Sequence, residues 1–447
     1  MGLKDRIAAD SLEAGEADGG SKHTVALYRR KLLEEVDLNE LAALSNSQRR
    51  ARLERVVGHI LTREGPVLTT GERASLIRQI VDESLGLGVL EPLINDESIT
   101  EIMVNGPADI WIEREGRLEK VPARFADEHQ LYLTIDRIVS AVNRRVDESS
   151  PMVDARLPTG ERVNVIIPPL ALTGPTLTIR RFPRAYSLKE LMDLGAMDEA
   201  VAQLVSSFVR AKFNIIVSGG TGTGKTTLLN ALSEFIPEGE RIVTIEDSAE
   251  LQLKQPHIIS LESRPPNVEG KGEITIRDLV RNSLRMRPDR ILVGEVRGAE
   301  TLDMLQAMNT GHEGSIATLH ANSTEDSIVR LSTLASMSDL HVPYDALRDQ
   351  VNSAIDVIVQ LSRTSDGQRK VAEIAVVASQ RREKFRLATV AGFKPDPVGP
   401  DRRVTGRFVH FPLPTPVRRR LELAGIEVPE EFAGTAEAPV APEREAV

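Results

Sequence analysis

The sequence has no cysteine in 447 residues. That excludes disulfides, cysteine-ligated zinc, iron–sulfur clusters and thiol catalysis. No apolar run approaches the ~20 residues that a membrane-spanning helix needs. The opening MGLKDRIAAD has no signal-peptide core, and Arg6 breaks the N-myristoylation pattern. A cytoplasmic location is therefore expected. Basic charge is not in excess: 66 Asp and Glu stand against 56 Lys and Arg, a formal charge of -10. Aromatic residues make up only 3% of the chain. Sequence-independent nucleic-acid binding relies on basic surface, and single-strand binding adds stacking aromatics. Nucleic acid is thus not an expected partner, and a helicase-like reading is disfavoured.

What is present fits an ordinary globular protein, with 41% hydrophobic and 27% charged residues. The length suffices for two or three domains with their own cores. No internal repeat is visible. Residues 1–24 and 434–447 (the latter GTAEAPVAPEREAV) have compositions expected to stay disordered. Over 25–95, apolar residues recur at helical spacing: Tyr28, Leu32, Leu33 and Val36, then Leu53, Val56, Val57, Ile60 and Leu61. A further helix, with Leu76, Ile77, Ile80 and Val81, follows the start signal Thr70-Gly71-Glu72. Residues 96–184 change character. ITEIMV and DIWIE flank the turn Asn105-Gly106-Pro107-Ala108, a helix follows at Ile135–Val142, and RVNVIIP and PTLTIRRF read as strands. This is an expected α+β domain, joined by a linker at 185–196 to a third region.

That region, 197–433, alternates helices with apolar strands: FNIIVSG, RIVTIE, RILVGE and GSIATLH. Such alternation predicts an α/β domain with a parallel sheet covered on both faces. Beyond about residue 380 the pattern weakens, and GRFVHFP reads as one more strand. Between FNIIVSG and the helix LLNALSEF lies Gly219-Gly220-Thr221-Gly222-Thr223-Gly224-Lys225-Thr226-Thr227, which fits the G-x-x-x-x-G-K-[ST] phosphate-loop pattern. Glycines let such a loop curl so that successive N–H groups point at phosphate, and the helix adds its positive dipole end. Lys225 would supply charge to the β- and γ-phosphates of ATP, and the Thr226 hydroxyl would ligate Mg2+.

Hydrolysis also needs a carboxylate to position or activate water. Two candidates end strands: Glu246, followed by Asp247 and Glu250, and Glu295. Strand ends gather at the ligand crevice of a parallel sheet. Either acid in isolation could equally be a solvated strand end or the partner of an arginine. Gly294 stands where the common hhhhDE strand has Asp, which leaves the metal to Thr226, water and phosphate, with Glu246 or Asp247 assisting indirectly. His312 and His320 lie in TGHEGSIATLHANS. Either could bond a γ-phosphate or a carboxylate and so sense the nucleotide, or be structural.

Together GGTGTGKTT, TIEDSAEL, ILVGEVRG and TGHEGSIATLHANS resemble, in order, the Walker A, Asp box, atypical Walker B and His box of the type II/type IV secretion traffic ATPase superfamily. SITEIMVNGPADIWIEREGRLE and PMVDARLPTGERVNVIIPPLALTGPTLTIRRF resemble that superfamily's sensor-like N-terminal domain and the stretch leading to its linker. SRPPNVEGKGEITIRDLVRNSLRMRPDRILVGEVRG resembles the CpaF-type ATPases of tight-adherence (Tad/Flp) pili. The resemblance spans about residues 70–380. The missing cysteines rule out the tetracysteine module of type II secretion and type IV pilus extension ATPases, and the helical extension argues against the shorter type IV secretion ATPases. The resemblance implies a RecA-like ATPase domain and a homohexameric ring at the cytoplasmic face of the inner membrane. It implies platform proteins of a pilus or secretion system as partners, through which the ring is held at the membrane. It also implies that arginines of the N-terminal half, at Arg162, Arg180 and Arg181, complete the nucleotide site. Arg285, Arg287 and Arg297 could serve ring interfaces or phosphates instead. Glu295 is the expected principal catalytic group, with Glu246 and His320 beside it. The rival expectations are a DNA-transfer or protein-secretion motor and a nucleotide-regulated scaffold without turnover.

Overall fold

The computed structural model describes residues 46–434 except 67, 86, 115, 143, 182–184, 267–269, 339–341, 380–384 and 398–402, together with 27–28, 31–32 and 35. The expectations for 1–24 and for nearly all of 434–447 fall outside these residues. The chain divides into two compact units, Met1–Pro183 and Arg184–Val447.

In the first unit, helices Asn46–Glu64 and Thr70–Leu85 share a small core. Leu53, Val57, Ile60 and Leu61 of one meet Ile80 and Val81 of the other, with Tyr28 and Leu32. The second helix is started by Thr69, one residue before the expected signal. Its hydroxyl accepts from Glu72 N at 3.3 Å while the Glu72 carboxylate accepts from Thr69 N at 2.8 Å, a reciprocal cap. Six strands then form an antiparallel sheet in the order β3-β2-β1-β6-β5-β4. They are β1 (Ile99–Asn105), β2 (Ile110–Arg114), β3 (Arg117–Lys120), β4 (Met152–Arg156), β5 (Arg162–Ile166) and β6 (Thr176–Arg180). Alternation puts Ile102, Val104, Ile110, Ile112, Val163, Val165, Leu177 and Ile179 on one face. There they share a core with Leu131, Ile135, Ile138 and Val139 of helix Glu128–Ala141.

The second unit is built on a nine-stranded sheet, β15-β14-β13-β12-β7-β11-β10-β8-β9. The strands are β7 (Ile215–Gly219), β8 (Ile242–Glu246), β9 (Ile258–Glu262), β10 (Arg290–Val296), β11 (Ile316–Leu319), β12 (Val357–Arg363), β13 (Arg369–Val377), β14 (Leu387–Pro395) and β15 (Gly406–His410). From β12 through β9 the neighbours run parallel, whereas β12 to β15 form an antiparallel extension. Apart from the partly exposed edge strand β9, the parallel strands read as apolar runs because both faces are covered. Ile215 and Val217 of β7 join the core beneath helices Glu199–Arg210 and Lys225–Ser233. Ile216, between them, joins the opposite core with Leu302, Leu305, Ile328 and Val351.

The segment expected as a linker, 185–196, contains a capped helix, Leu188–Asp193, and its Leu188 is buried in the core of this unit. The C-terminal helix Thr415–Leu423 and Phe432 join the same core. Arg420 fixes that helix: it donates to Asp356 at 2.7 Å and to Lys212 O at 2.6 Å, and lies 4.1 Å above the Phe213 ring. No helix among the described residues is long and apolar enough to cross a membrane.

Candidate functional site

Strand β7 runs directly into the glycine loop, and helix Lys225–Ser233 begins on its far side with Gly224 as N-cap. Gly222 at φ 70° and Gly224 at φ 96° turn the chain through the left-handed region, where a side chain is strained. Gly219 is required by close approach: a Cβ there would lie 2.6 Å from Thr223 Oγ1 and 2.8 Å from Leu361 O. The Thr223 hydroxyl donates to Gly220 O at 2.9 Å and closes the loop on itself. Gly224 offers no side-chain acceptor to the helix start. The first-turn N–H groups, those of Lys225, Thr226 and Thr227 among them, have no acceptor within the helix and point out of its N-terminus.

Lys225 Nζ donates to Gly219 O and Gly220 O, each at 3.0 Å. Burial lowers its pKa, a shift opposed by the charge of Glu295 and reinforced by that of Arg297. An ammonium destabilised in this way would be favoured by a polyphosphate anion placed in the loop.

Parallel pairing brings the other candidates to the same edge of the sheet. Gly219 ends β7, His320 follows β11, Glu295 lies one residue from the end of β10, and Glu246 ends β8. In the order β7-β11-β10-β8, His320 therefore falls between the loop and the two carboxylates. Glu295 is held by Arg297, whose Nη2 lies 2.5 Å from its Oε2. Arg297 Nη1 also reaches Asp247 Oδ2 at 3.4 Å, and Glu295 is the main cause of the raised Arg297 pKa.

Glu246 is only 3% exposed. Its Oε1 accepts from Glu250 N at 2.9 Å and Leu251 N at 3.1 Å. Burial nevertheless pushes its carboxyl up to about 7, against the pull of those two donors. Its side chain explains Gly294. The register Val293↔Ile245 places Gly294 beside Glu246, and a Cβ on Gly294 would come within 2.8 Å of Glu246 Cγ. The side chain of a neighbouring strand thus fills the space that the usual Asp would take. Thr318 of β11 donates its hydroxyl to Gly294 O, tying the two strands at this point.

Other candidates lie elsewhere. His312 precedes β11, while His320 follows it, so the two histidines sit at opposite edges of the sheet. Arg285 and Arg287 precede β10 and share that far edge, both exposed. They stand away from the phosphate loop of their own chain. Arg162, Arg180 and Arg181 belong to the first unit. Arg162 and Arg180 are cross-strand neighbours on the open face of its sheet, with Arg162 3.8 Å from Asp154 and Arg180 3.7 Å from Glu101. Ion pairs this long and this exposed hold little energy. Arg181 is instead committed to backbone, donating through Nη1 to Asp96 O and Ile99 O.

One contact has no signature in the sequence. Arg369, the first residue of β13 after the β12–β13 turn, donates from Nε to Gly222 O at 3.0 Å. Only the return of that hairpin beside β7 brings it to the loop.

Among the described residues no group of three or more His, Cys, Asp or Glu could hold a metal. A magnesium site here would rest on the Thr226 hydroxyl at the helix start, with phosphate and water as the remaining ligands. That suits a cation that keeps several waters and uses few protein ligands.

Residues 83–397 match the family described as Type II/IV secretion system protein. A putative conjugal transfer protein of Mycobacterium tuberculosis H37Rv is 42% identical over 309 residues, covering 67% of this chain and 87% of that protein. The conjugal transfer protein TrbB of Rhizobium radiobacter is 32% identical over 326 residues, covering 72% and 96%. Among solved structures, the VirB11 ATPase of the Brucella suis type IV secretion system aligns with 30% identity over 64% of this chain and 93% of that one, at a TM-score of 0.36. With its glycine loop and strand-end carboxylates inside the matched region, this chain belongs to the type II/IV secretion system protein family.

Proposed function

We propose that the chain is an ATPase, acting as a homohexameric motor at the cytoplasmic face of the inner membrane. The observation that carries this reading is the gathering of Lys225, His320, Glu295 and Glu246 at one edge of a parallel sheet, beside a glycine loop. Lys225 and the first-turn N–H groups bind the β- and γ-phosphates. Magnesium, held through Thr226, supplies positive charge against the phosphate oxygens. Glu295 orients and deprotonates the attacking water, with Arg297 fixing its carboxylate. Glu246, buried where the usual Asp side chain would be, orders water around the metal. His320 hydrogen-bonds the γ-phosphate or its neighbouring carboxylate. Arg162 and Arg180, which face open solvent in the first unit, offset transition-state charge.

The work done is closure of the N-terminal half against the ATPase half, transmitted to platform proteins of the membrane. The segment 263–298, close in sequence to CpaF-type motors, supports pilin assembly or retraction as the output. A second reading, export of protein or DNA, is supported by the relatives named as conjugal transfer proteins. DNA transfer is separated from the pilus motor by one assay: steady-state phosphate release by the full chain, with and without single-stranded DNA, alongside light-scattering mass. A hexamer whose turnover ignores DNA argues against DNA transfer and is what the pilus motor requires, and clear stimulation by DNA supports the transfer motor. Absence of ATP turnover by the assembled ring would overturn both in favour of a nucleotide-regulated scaffold.

A further inference from the structure

Among the described residues, Arg369 is the basic side chain that grips the phosphate loop from outside. Its Nε donates to Gly222 O at 3.0 Å, and its Cδ lies 3.5 Å from where a Cβ on Gly224 would stand. Carbonyls in such a loop point away from the phosphate that its N–H groups bind. The Arg369 stem therefore runs along the outer wall and not into the phosphate cradle. Its terminal nitrogens have no partner among the described residues, and the side chain is exposed.

The hairpin that carries Arg369 is rigidly built. Gly367 N donates to Thr364 O at 2.9 Å, Thr364 N donates to Gln368 O at 2.8 Å, and Asp366 accepts from Thr364 Oγ1 at 2.5 Å and from Val404 N at 2.8 Å. Arg363, the cross-strand partner of Arg369, turns back to Gly367 O at 3.3 Å. The hairpin fixes the Arg369 backbone and the Nε–Gly222 O bond fixes one end of the guanidinium before any ligand arrives, which lowers the entropy lost on binding.

Strand order says what such a group would meet. On one side of β7 lie β11, β10 and β8, with His320, Glu295 and Glu246. On the other side lie β12 and the turn leading to Arg369. If the terminal phosphate faces the carboxylates, the nucleoside must leave the loop on the β12 side. A guanidinium is planar and weakly hydrated, and stacks well on an aromatic face. We infer that Arg369 is a nucleoside-binding residue, clamping the loop through Gly222 O and offering its guanidinium plane to the purine base. The inference rests on the nucleotide-binding reading and adds the position of the base.

The test is calorimetric titration of the full chain with ADP and with pyrophosphate, neither of which is hydrolysed at this kind of site. Arg369→Ala is expected to lower ADP affinity about tenfold and pyrophosphate affinity less than threefold, the scale of one desolvated cation–π stack. Arg369→Lys, which keeps a cationic donor for Gly222 O but has no plane, should restore pyrophosphate affinity and leave ADP weakened. Equal losses for the two ligands would reduce Arg369 to a loop clamp and overturn the proposal, as would unchanged ADP affinity in Arg369→Ala. Failure of the unsubstituted chain to bind ADP would instead overturn the nucleotide-binding reading, so the two failures are distinct.

Discussion

The Glu246 side chain fills the space that a side chain at position 294 would need: a Cβ on Gly294 would lie 2.8 Å from Glu246 Cγ and 3.4 Å from its Cβ. Glu246 cannot simply swing aside, because its carboxylate is engaged by Glu250 N and Leu251 N. The glycine of this strand is therefore a packing requirement imposed by the acid on the neighbouring strand.

Restoring the common strand pattern should accordingly do harm. Gly294→Asp is expected to destabilise the second unit by about 1–3 kcal/mol, the cost of overpacking, and to abolish turnover by displacing Glu246. Adding Glu246→Ala should recover much of the lost stability without recovering activity. Thermal melts of the two single variants and the double variant check this, since contacting sites should couple. Additive losses would show that the two positions do not compete for space.

The raised carboxyl of Glu246 makes a pH prediction. It titrates at about 7 in the folded chain, against a reference value of 4.5. Between those values the folded protein keeps a proton that the unfolded chain releases, so raising the pH through this window works against folding. Glu246→Gln keeps an acceptor for the two N–H groups and does not titrate. Its melting temperature relative to the parent chain, without nucleotide, should rise from pH 4.5 to 7 and then level off. A constant difference across that window would show that the folded carboxyl titrates at an ordinary value.

Glu295→Gln separates binding from chemistry. It preserves size and an acceptor for Arg297 but removes the negative charge. Phosphate release should fall about 10²-fold or more, the scale of a general-base contribution, while ATP affinity changes little. Glu246→Gln should weaken magnesium dependence as well as turnover. If Glu295→Gln hydrolyses near the parent rate while Glu246→Gln is inactive with unchanged magnesium dependence, the two roles are reversed.

Arg290 anchors the start of β10, the strand that carries Glu295. Its side chain is fully buried, and donates to Glu240 at 2.5 Å and to Gly314 O at 3.1 Å. Arg290→Ala strands a largely buried carboxylate whose remaining charged partner is Lys212 at 3.4 Å. The expected cost is about 3–5 kcal/mol, as for other broken buried pairs. It would be read as a shift in the denaturation midpoint. A shift under about 1 kcal/mol would place the pair among weak surface contacts.

Much of the second unit was legible in the sequence, because most of its parallel strands are buried on both faces and so appear as short apolar runs. The runs ending at Gly219, Glu246 and Glu295 are strands β7, β8 and β10. The exposed strand β3, the half-exposed strand β4 and the partly exposed edge strand β9 lack such a signal, and the sequence reading singles out none of them, nor β12 and β13. The nine-residue β14 lies beyond the point where the apolar pattern weakens. Within the site, the motif spacing located Lys225 and the strand-end acids. It could not separate His320 from His312, since only strand direction puts them at opposite edges. Nor could it reveal the contacts of Arg297 and Arg369, which depend on side-chain reach and on sheet order.

The most direct test of the central claim is phosphate release from ATP by the full chain and by Lys225→Ala, each with and without magnesium. Lys225 is the charged side chain of the loop, and two of its donors already rest on the loop carbonyls of Gly219 and Gly220. The parent chain should hydrolyse ATP only with magnesium, and Lys225→Ala should fall to background with lost nucleotide affinity. Equal release by the two proteins, or release independent of magnesium, would contradict the assignment of this loop as the catalytic phosphate site.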